Sequence, residues 1–328
     1  MVAPGGPPLV AGVDLGGTKI QVGILSGTEV VGQARRPTPR TDAADVMEAI
    51  AAAVREAMAG AGKDVADLRA VGIGTPGSVD TANGHVSMSS NVPGFSSDVA
   101  LGPTISKALG GVAVVVDNDV RAAVTGEFVR GAGRPYRNLL GVFMGTGVGG
   151  GLVIDGVVFR GRGSAGEIGH TVVKRGGRRC PCGRRGCLEA YAGRLALEQA
   201  ARRRVDRGMR TSLFEIMERK GKDRLSSSVI ARALECGDPI TVRLVDQAVR
   251  ALGIALANAQ NLLDLEAIIL GGGLGDRLGA PFVARVGHAM GPHLRMPERP
   301  PVLLRTELGD LSGAVGAAVL ADDRVANS

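Results

Sequence analysis

The chain has 328 residues, long enough for two domains of ordinary size, each with its own core. Hydrophobic residues make up 45% and charged ones 22%, the balance of a soluble globular protein, and no apolar run approaches the roughly 18 residues of a membrane span. The net charge of +7 raises nucleic acid as a partner, through runs such as Arg202–Arg204, but aromatics are 2% with no Trp, so base-stacking surfaces are nearly absent. A solvated basic surface that attracts anionic metabolites is the better reading, with no nucleic acid and no membrane as partner. The opening MVAPGGPPLV lacks the basic start and long apolar stretch of a secretory signal. Together with clustered thiols, this predicts a reducing, cytoplasmic setting.

The predicted elements begin with a hairpin. Leu9–Asp14 reads as a short apolar strand, Gly16–Gly17 as a turn and Ile20–Leu25 as the returning strand. An amphipathic helix is expected over Ala43–Met58 and a strand over Ala70–Gly74. Turn-rich sequence from Thr75 to Ser97 precedes a helix ending near Leu109. Val112–Val116 is a buried strand by composition and runs into Asp117-Asn118-Asp119, then a helix to about Val129. The pattern then repeats: Leu139–Met144 is an apolar strand, Gly145–Gly151 a glycine turn and Leu152–Ile154 a returning strand. Such a duplication implies two related α/β lobes facing one another across a cleft. Later come a helical stretch over Ile240–Leu263, a strand at Ala267–Leu270, the glycines Gly271–Gly273 and a helix beginning near Pro281. A strand at Val302–Leu304 and a small-residue helix from Ser312 finish the chain. Arg202–Asp223 reads as a polar, mobile helical excursion. Short hinges are placed near Asn118 and Leu308, giving lobes of 1–118 with 308–328, and of 119–307.

Three segments carry chemistry. Between Glu167 and Glu189 the chain places His170, Cys180, Cys182 and Cys187, a complete tetrahedral donor set for a structural Zn²⁺. The alternative is two disulfides with Cys236 as the fourth partner; the close spacing of Cys180 and Cys182 disfavours a bond within that pair. In Asp14-Leu15-Gly16-Gly17-Thr18-Lys19, bare backbone N–H groups ring a phosphate, Thr18 donates to it, Lys19 adds a point charge and Asp14 holds Mg²⁺ directly or through water. The second turn, Gly145-Thr146-Gly147 and onward, strengthens the phosphate reading against plain close packing in a sheet. Neither turn is a Walker A loop or a G-x-G-x-x-G that opens a helix. Asp117, Asn118 and Asp119 end a buried strand, where ligands gather in α/β sheets; an Asp there either accepts a proton from an attacking hydroxyl or caps the next helix.

Taken together, these motifs resemble the ROK family of sugar kinases and repressors, and most of all its bacterial ATP-dependent glucokinases. The resemblance runs from Val10 to about Leu320. It rests on Asp14–Lys19, Gly74-Thr75-Pro76-Gly77, Asn91-Val92-Pro93-Gly94, Asn118-Asp119, Gly145-Thr146-Gly147, Glu167-Ile168-Gly169-His170, the Cys180–Cys187 block and Gly271-Gly272-Gly273. It implies the two-lobed, actin-like and ribonuclease-H-like ATPase fold with an interlobe cleft. It also implies Asp119 as catalytic base and a sugar held by Asn118, Glu167, His170 and Glu189, with Gly77 and Asn91 as weaker candidates. The nucleotide would be held by Asp14, Gly16, Gly17, Thr18, Lys19, Gly145, Thr146, Gly147, Gly272 and Gly273. The family histidine serves twice, one ring nitrogen on zinc and the other on the sugar. ATP, Mg²⁺ and structural Zn²⁺ are the implied cofactors, glucose the substrate and a homodimer or homotetramer the assembly.

Two positions depart from the family pattern. Arg121 stands in an Ala-Asn-Ala-Ala-like stretch and is expected to point to the surface. Gly193 stands where members often carry Ser, with no function read into it. Two other classes compete. A sugar-sensing repressor of the family needs a DNA-binding domain ahead of the sugar lobe, and only about eight residues precede the first strand. A nucleic-acid-binding zinc module draws on Arg178, Arg179, Arg184 and Arg185 but is opposed by the two embedded glutamates. Within the kinase class, N-acetylmannosamine, mannose and fructose are alternatives to glucose, and polyphosphate to ATP.

Overall fold

The structure, a computed structural model, describes residues 6–89 and 91–327. Along the chain come β1 (Leu9–Leu15), β2 (Lys19–Ser26), β3 (Glu29–Pro37), α1 (Ala43–Gly60), β4 (Leu68–Thr75), β5 (Ser78–Asp80), β6 (His85–Ser87), α2 (Leu101–Ala108), β7 (Ala113–Asn118) and α3 (Asp119–Arg130). Next are β8 (Leu139–Met144), β9 (Val148–Ile154), β10 (Val157–Phe159), α4 (Glu189–Ala192), α5 (Arg194–Val205), α6 (Leu213–Arg219), α7 (Ser227–Glu235) and α8 (Pro239–Leu263). Then β11 (Ala267–Gly271), α9 (Gly272–Met290), β12 (Val302–Arg305) and α10 (Ser312–Ala326) complete the order. Among the described residues no helix is long and apolar enough to cross a membrane.

The chain folds as two units, one of residues up to Arg134 with those from Asp310, the other Pro135–Gly309. The first unit holds a sheet of order β3-β2-β1-β4-β7. β1 pairs antiparallel with β2, while β1, β4 and β7 run parallel, with Asp14 opposite Gly74, Gly74 opposite Asp117 and Thr75 opposite Asn118. That register gathers Asp14, Asp117 and Asn118 at one carboxyl edge. α1 covers one side. Asp42 caps it by accepting from the Asp45 N–H at 3.0 Å, and Val46, Ile50, Val54 and Met58 are buried along one stripe. Each such side chain contributes roughly 1.5–3 kcal/mol through burial.

α10 returns to this same sheet, and small residues set how closely it approaches. A Cβ on Gly12 of β1 would fall 1.8 Å from the Ala314 carbonyl oxygen, one on Gly72 of β4 1.8 Å from that of Ala317, and one on Gly316 1.7 Å from that of Ala122 in α3. Backbone-to-backbone contact of this kind excludes any side chain. This packing joins α3 to the first unit, so the first crossing falls between Arg134 and Pro135 rather than at the expected Asn118.

The second unit repeats the topology as β10-β9-β8-β11-β12, with β8 antiparallel to β9 and parallel to β11. The glycine turn is shorter than expected: only Gly145–Gly147 turns, and β9 already begins at Val148. Gly150 lies within that strand because a Cβ there would strike the Gly166 carbonyl oxygen at 2.6 Å. α9 comes in two pieces: a short, unexpected one from Gly272 and, after the break at Gly279, whose φ is 68°, the helix expected near Pro281. The segment read as a mobile excursion is tied down. Buried Asp238 accepts from the Thr211 hydroxyl and the Ser212 N–H, both at 2.8 Å, and caps α8 through the Thr241 N–H at 2.8 Å. Burial opposes charge on Asp238, but these donors hold its carboxyl below the usual value.

Candidate active site

In the first unit, β7 runs through Asp117 to Asn118, and Asp119 opens α3. The Asn118 side chain caps that helix, accepting from the N–H groups of Val120 and Arg121, both at 3.1 Å. The helix-cap alternative is therefore real, and Asn118 fills it, leaving Asp119 one position later at the helix start. Gly74 permits this seating: a Cβ there would lie 3.0 Å from the Ala122 Cβ and 3.3 Å from the Asp119 Cα. Arg121 contradicts its expectation. It is buried and pairs with Asp117, also buried, because the i,i+4 spacing turns it back under the strand end. The pair answers its own charge, so Arg121 props the strand end from beneath.

Asp14 sits at the end of β1, where burial first, then the Asp119 and Asp310 carboxylates, push its pKa from 3.8 to about 7 against the pull of Lys19. A carboxyl raised by burial and by a neighbouring carboxylate at a sheet's carboxyl edge is an environment that favours a bound cation. The next turn is closed by Gly16 N–H donating to the Lys19 carbonyl at 2.9 Å, and Thr38 Oγ1 donates to the Gly16 carbonyl at 2.6 Å. Lys19 ion-pairs with Asp310 at 3.0 Å. Gly17 backs onto Asn91, whose carbonyl oxygen a Cβ would approach to 2.4 Å, and Gly77, at φ 112°, packs on Ser87 and Ser89. Asn91 thus lies against the first turn, while Gly77 packs on the β6 end of the same unit.

In the second unit, His170 Nδ1 lies 3.7 Å from Cys180 Sγ, and Cys182 Sγ lies 3.7 Å from Cys187 Sγ. The donor atoms of all four residues fall within 4.8 Å of one another. Tetrahedral zinc with bonds near 2.3 Å to sulfur and about 2.0 Å to nitrogen needs ligand-to-ligand edges of about 3.5–3.8 Å, so the set fits that ion. The two-disulfide alternative has no counterpart: all four thiols are free, and Cys236 ends α7 apart from the cluster. Partial burial opposes ionisation at Cys182, but the Arg184 backbone and side chain draw its thiol down to about 6, the state a metal ligand needs. Gly183 and Gly186, at φ 89° and 88°, turn the loop around the thiols.

Glu189 connects this loop to the glycine turn. It accepts from the Val148 N–H at 3.0 Å through Oε2, while Oε1 lies 3.7 Å from Cys180 Sγ. Gly147 leaves room for it, since a Cβ there would sit 2.3 Å from Oε2. The same crowding explains Gly193: a Cβ would meet the Glu189 carbonyl oxygen at 2.9 Å and the Gly147 Cα at 3.3 Å. Glu167 is exposed, and its carbonyl accepts from the His170 N–H at 3.0 Å. Gly272, at φ 77°, and Gly273 bring the start of α9 beside the end of β8, where a Cβ on Gly272 would lie 2.7 Å from the Met144 nitrogen. Sequence reasoning missed Asp310 and Arg194. Asp310 carries no local motif; Arg194 directly follows the position read as functionless.

The ROK family model matches residues 10–324, and the chain belongs to the ROK family. A glucokinase of Halalkalibacterium halodurans is 35% identical over 83% of this chain and 83% of its own. Among solved structures, a ROK hexokinase from Thermus thermophilus is 34% identical, covers 98% of this chain and all of its own, and has a TM-score of 0.78. A ROK family glucokinase from Streptomyces griseus, in complex with glucose and AMPPNP, is 34% identical over 96% of this chain and 99% of its own, with a TM-score of 0.81. The fold is accordingly the actin-like, two-lobed ATPase fold of ROK sugar kinases.

Proposed function

We propose that the protein transfers the γ-phosphoryl group of ATP to the 6-hydroxyl of glucose. The observation that carries this reading is Asp119 at the carboxyl edge of the first sheet, coupled to Asp14 beside a glycine turn. Asp119 takes the proton from the 6-hydroxyl as its oxygen bonds to the γ-phosphorus; the bond to the β–γ bridging oxygen breaks and ADP leaves. Asp14 would hold the nucleotide's Mg²⁺ directly or through water, and the chemistry such an ion would supply there is neutralisation of phosphate charge. Gly16, Gly17 and Thr18 of one turn, and Gly145, Thr146, Gly147, Gly272 and Gly273 of the other unit, bind nucleotide through backbone and hydroxyl donors. Lys19 is kept near this charge by Asp310.

Asn118, Glu167, His170 and Glu189 bind sugar hydroxyls, assisted by Gly77 and Asn91. Carboxylates act as acceptors only, so each selects a hydroxyl that can donate. His170, Cys180, Cys182 and Cys187 would hold Zn²⁺, which supplies a rigid frame and takes no part in the transfer. With Nδ1 turned to the thiols, the His170 Nε2 edge faces away from them and serves the sugar. The deciding experiment is Asp119→Asn: kcat is expected to fall about 10³-fold or more while glucose still binds. A variant that keeps over a tenth of wild-type kcat removes Asp119 from this role.

A further inference from the structure

Arg194 opens α5 directly behind the second glycine turn and takes no part in the transfer as derived from the motif residues. Its N–H donates to the Gly145 carbonyl at 3.2 Å, and the Leu195 N–H to that of Thr146 at 3.1 Å. Two donors of the first helical turn, which have no partner within the helix, are thereby spent on holding the turn. The guanidinium folds back over the same turn. Nη2 donates to Thr146 Oγ1 at 3.2 Å, and Nη1 to Ser227 Oγ, at the start of α7, at 3.4 Å. Gly273 faces the same group: a Cβ there would lie 3.2 Å from the Ser227 oxygen and 3.7 Å from Nη1.

Both side-chain partners of this cation are neutral hydroxyls. The guanidinium is half-buried, and burial alone lowers its pKa, with no neighbouring charge contributing. A half-buried guanidinium with no counter-charge among the described residues is costly unless a ligand supplies one. Its planar fork suits two oxygens of one phosphate. Thr146 and Ser227 accept from it and keep their own hydroxyl protons to donate onward.

We propose that Arg194, with Thr146 and Ser227, contacts the phosphate chain of the nucleotide donor, so that this helix start contributes an ionic clamp to a turn that has no charge of its own. The inference rests on the kinase reading and extends it to a residue outside the motifs that define the turns. A purely structural Arg194, holding the glycine turn in shape, would weaken ADP binding only together with a lowered melting temperature, and such a paired loss in both variants would overturn the clamp.

Calorimetric titration separates the two roles. ADP with Mg²⁺, and adenosine, are titrated into the full-length wild-type protein and into Arg194→Ala and Arg194→Lys, with melting followed for each. The expected result is an ADP affinity lowered about 10–30-fold in Arg194→Ala and less in Arg194→Lys. Adenosine affinity and glucose KM should stay within about twofold of wild type. Equal losses for ADP and adenosine, or no loss for ADP, would overturn the clamp while the kinase reading stands. Wild-type protein that binds neither ligand overturns both. If Arg194→Ala loses its melting transition, Arg194→Lys decides: unchanged ADP affinity sinks the proposal, and a selective loss for ADP upholds it.

Discussion

The turn after β1 carries charge in its own sequence, whereas the turn after β8 carries none and takes it from elsewhere in the chain. Asp14 and Lys19 flank Gly16 and Gly17, and Asp310 closes on Lys19 from the segment leading into α10. Around Gly145–Gly147, the anion is Glu189 from the end of the cysteine loop and the cation is Arg194 from the start of α5. The two sheets share one strand order, so topology does not cause the difference. The cause is the stretch of chain after each hairpin. In the first unit α1 and its neighbours supply an apolar cover. In the second, the chain between β10 and α5 folds back as a thiol-lined loop and delivers both charges to the turn. One turn thus carries its charges in its own sequence; the other depends on a distant loop being in place to supply them.

Two substitutions probe that contrast. The larger effect is expected at Asp14. Asp14→Asn should lower kcat/KM for ATP by about 100-fold or more, since in the proposed function it removes the carboxylate that would hold the nucleotide's Mg²⁺. Its pH signature is distinctive. Because burial and Asp119 raise its pKa from 3.8 to about 7, the folded protein keeps a proton that the unfolded chain has lost between those values. Wild-type stability without nucleotide therefore falls as pH rises through that window, and Asp14→Asn should abolish this part of the slope. Thermal melts from pH 4 to 8 read it directly; parallel profiles for the two proteins would show that Asp14 is not held in this state.

A smaller effect, on binding rather than chemistry, is expected when the loop of the second unit is loosened. Cys182→Ser should release the metal, lower the melting temperature and raise glucose KM about tenfold, with a lesser change in kcat. Elemental analysis should find one zinc per wild-type chain. Metal-free protein with unchanged melting and kinetics would show that the four donors serve no ion and that Glu189 is held without one.

Local pattern makes the first turn and the gathering of His170 with the three cysteines legible, as it does β8 over Leu139–Met144 and the start of α10 at Ser312. Those features depend on residues close in sequence. The features that escape it depend on partners that meet only after folding. Gly12, Gly72 and Gly316 belong to no motif, and their purpose appears once α10 lies against β1, β4 and α3. Gly149–Gly151 reads as turn because glycine is rare in strands, yet Gly150 is needed there for the approach of Gly166. β3 is an edge strand whose burial alternates regularly, but its inner positions hold Val30, Gly32, Ala34 and Arg36, too few of them large and apolar to show the period in sequence. Residue type alone assigns Arg121 to the surface, although Asp117 stands four positions before it and the two are buried together.

The central claim, that this chain phosphorylates glucose with ATP, is tested most directly by coupled ADP release from the wild-type protein across a hexose panel. Glucose should give the highest kcat/KM. Its epimers should fall about 10–100-fold lower, because an inverted hydroxyl leaves a carboxylate that the bound sugar covers without a partner, at roughly 1–3 kcal/mol. Mannose is expected as second substrate. A higher kcat/KM for N-acetylmannosamine or fructose would contradict the glucose assignment, and no ADP release with any hexose would contradict the kinase itself.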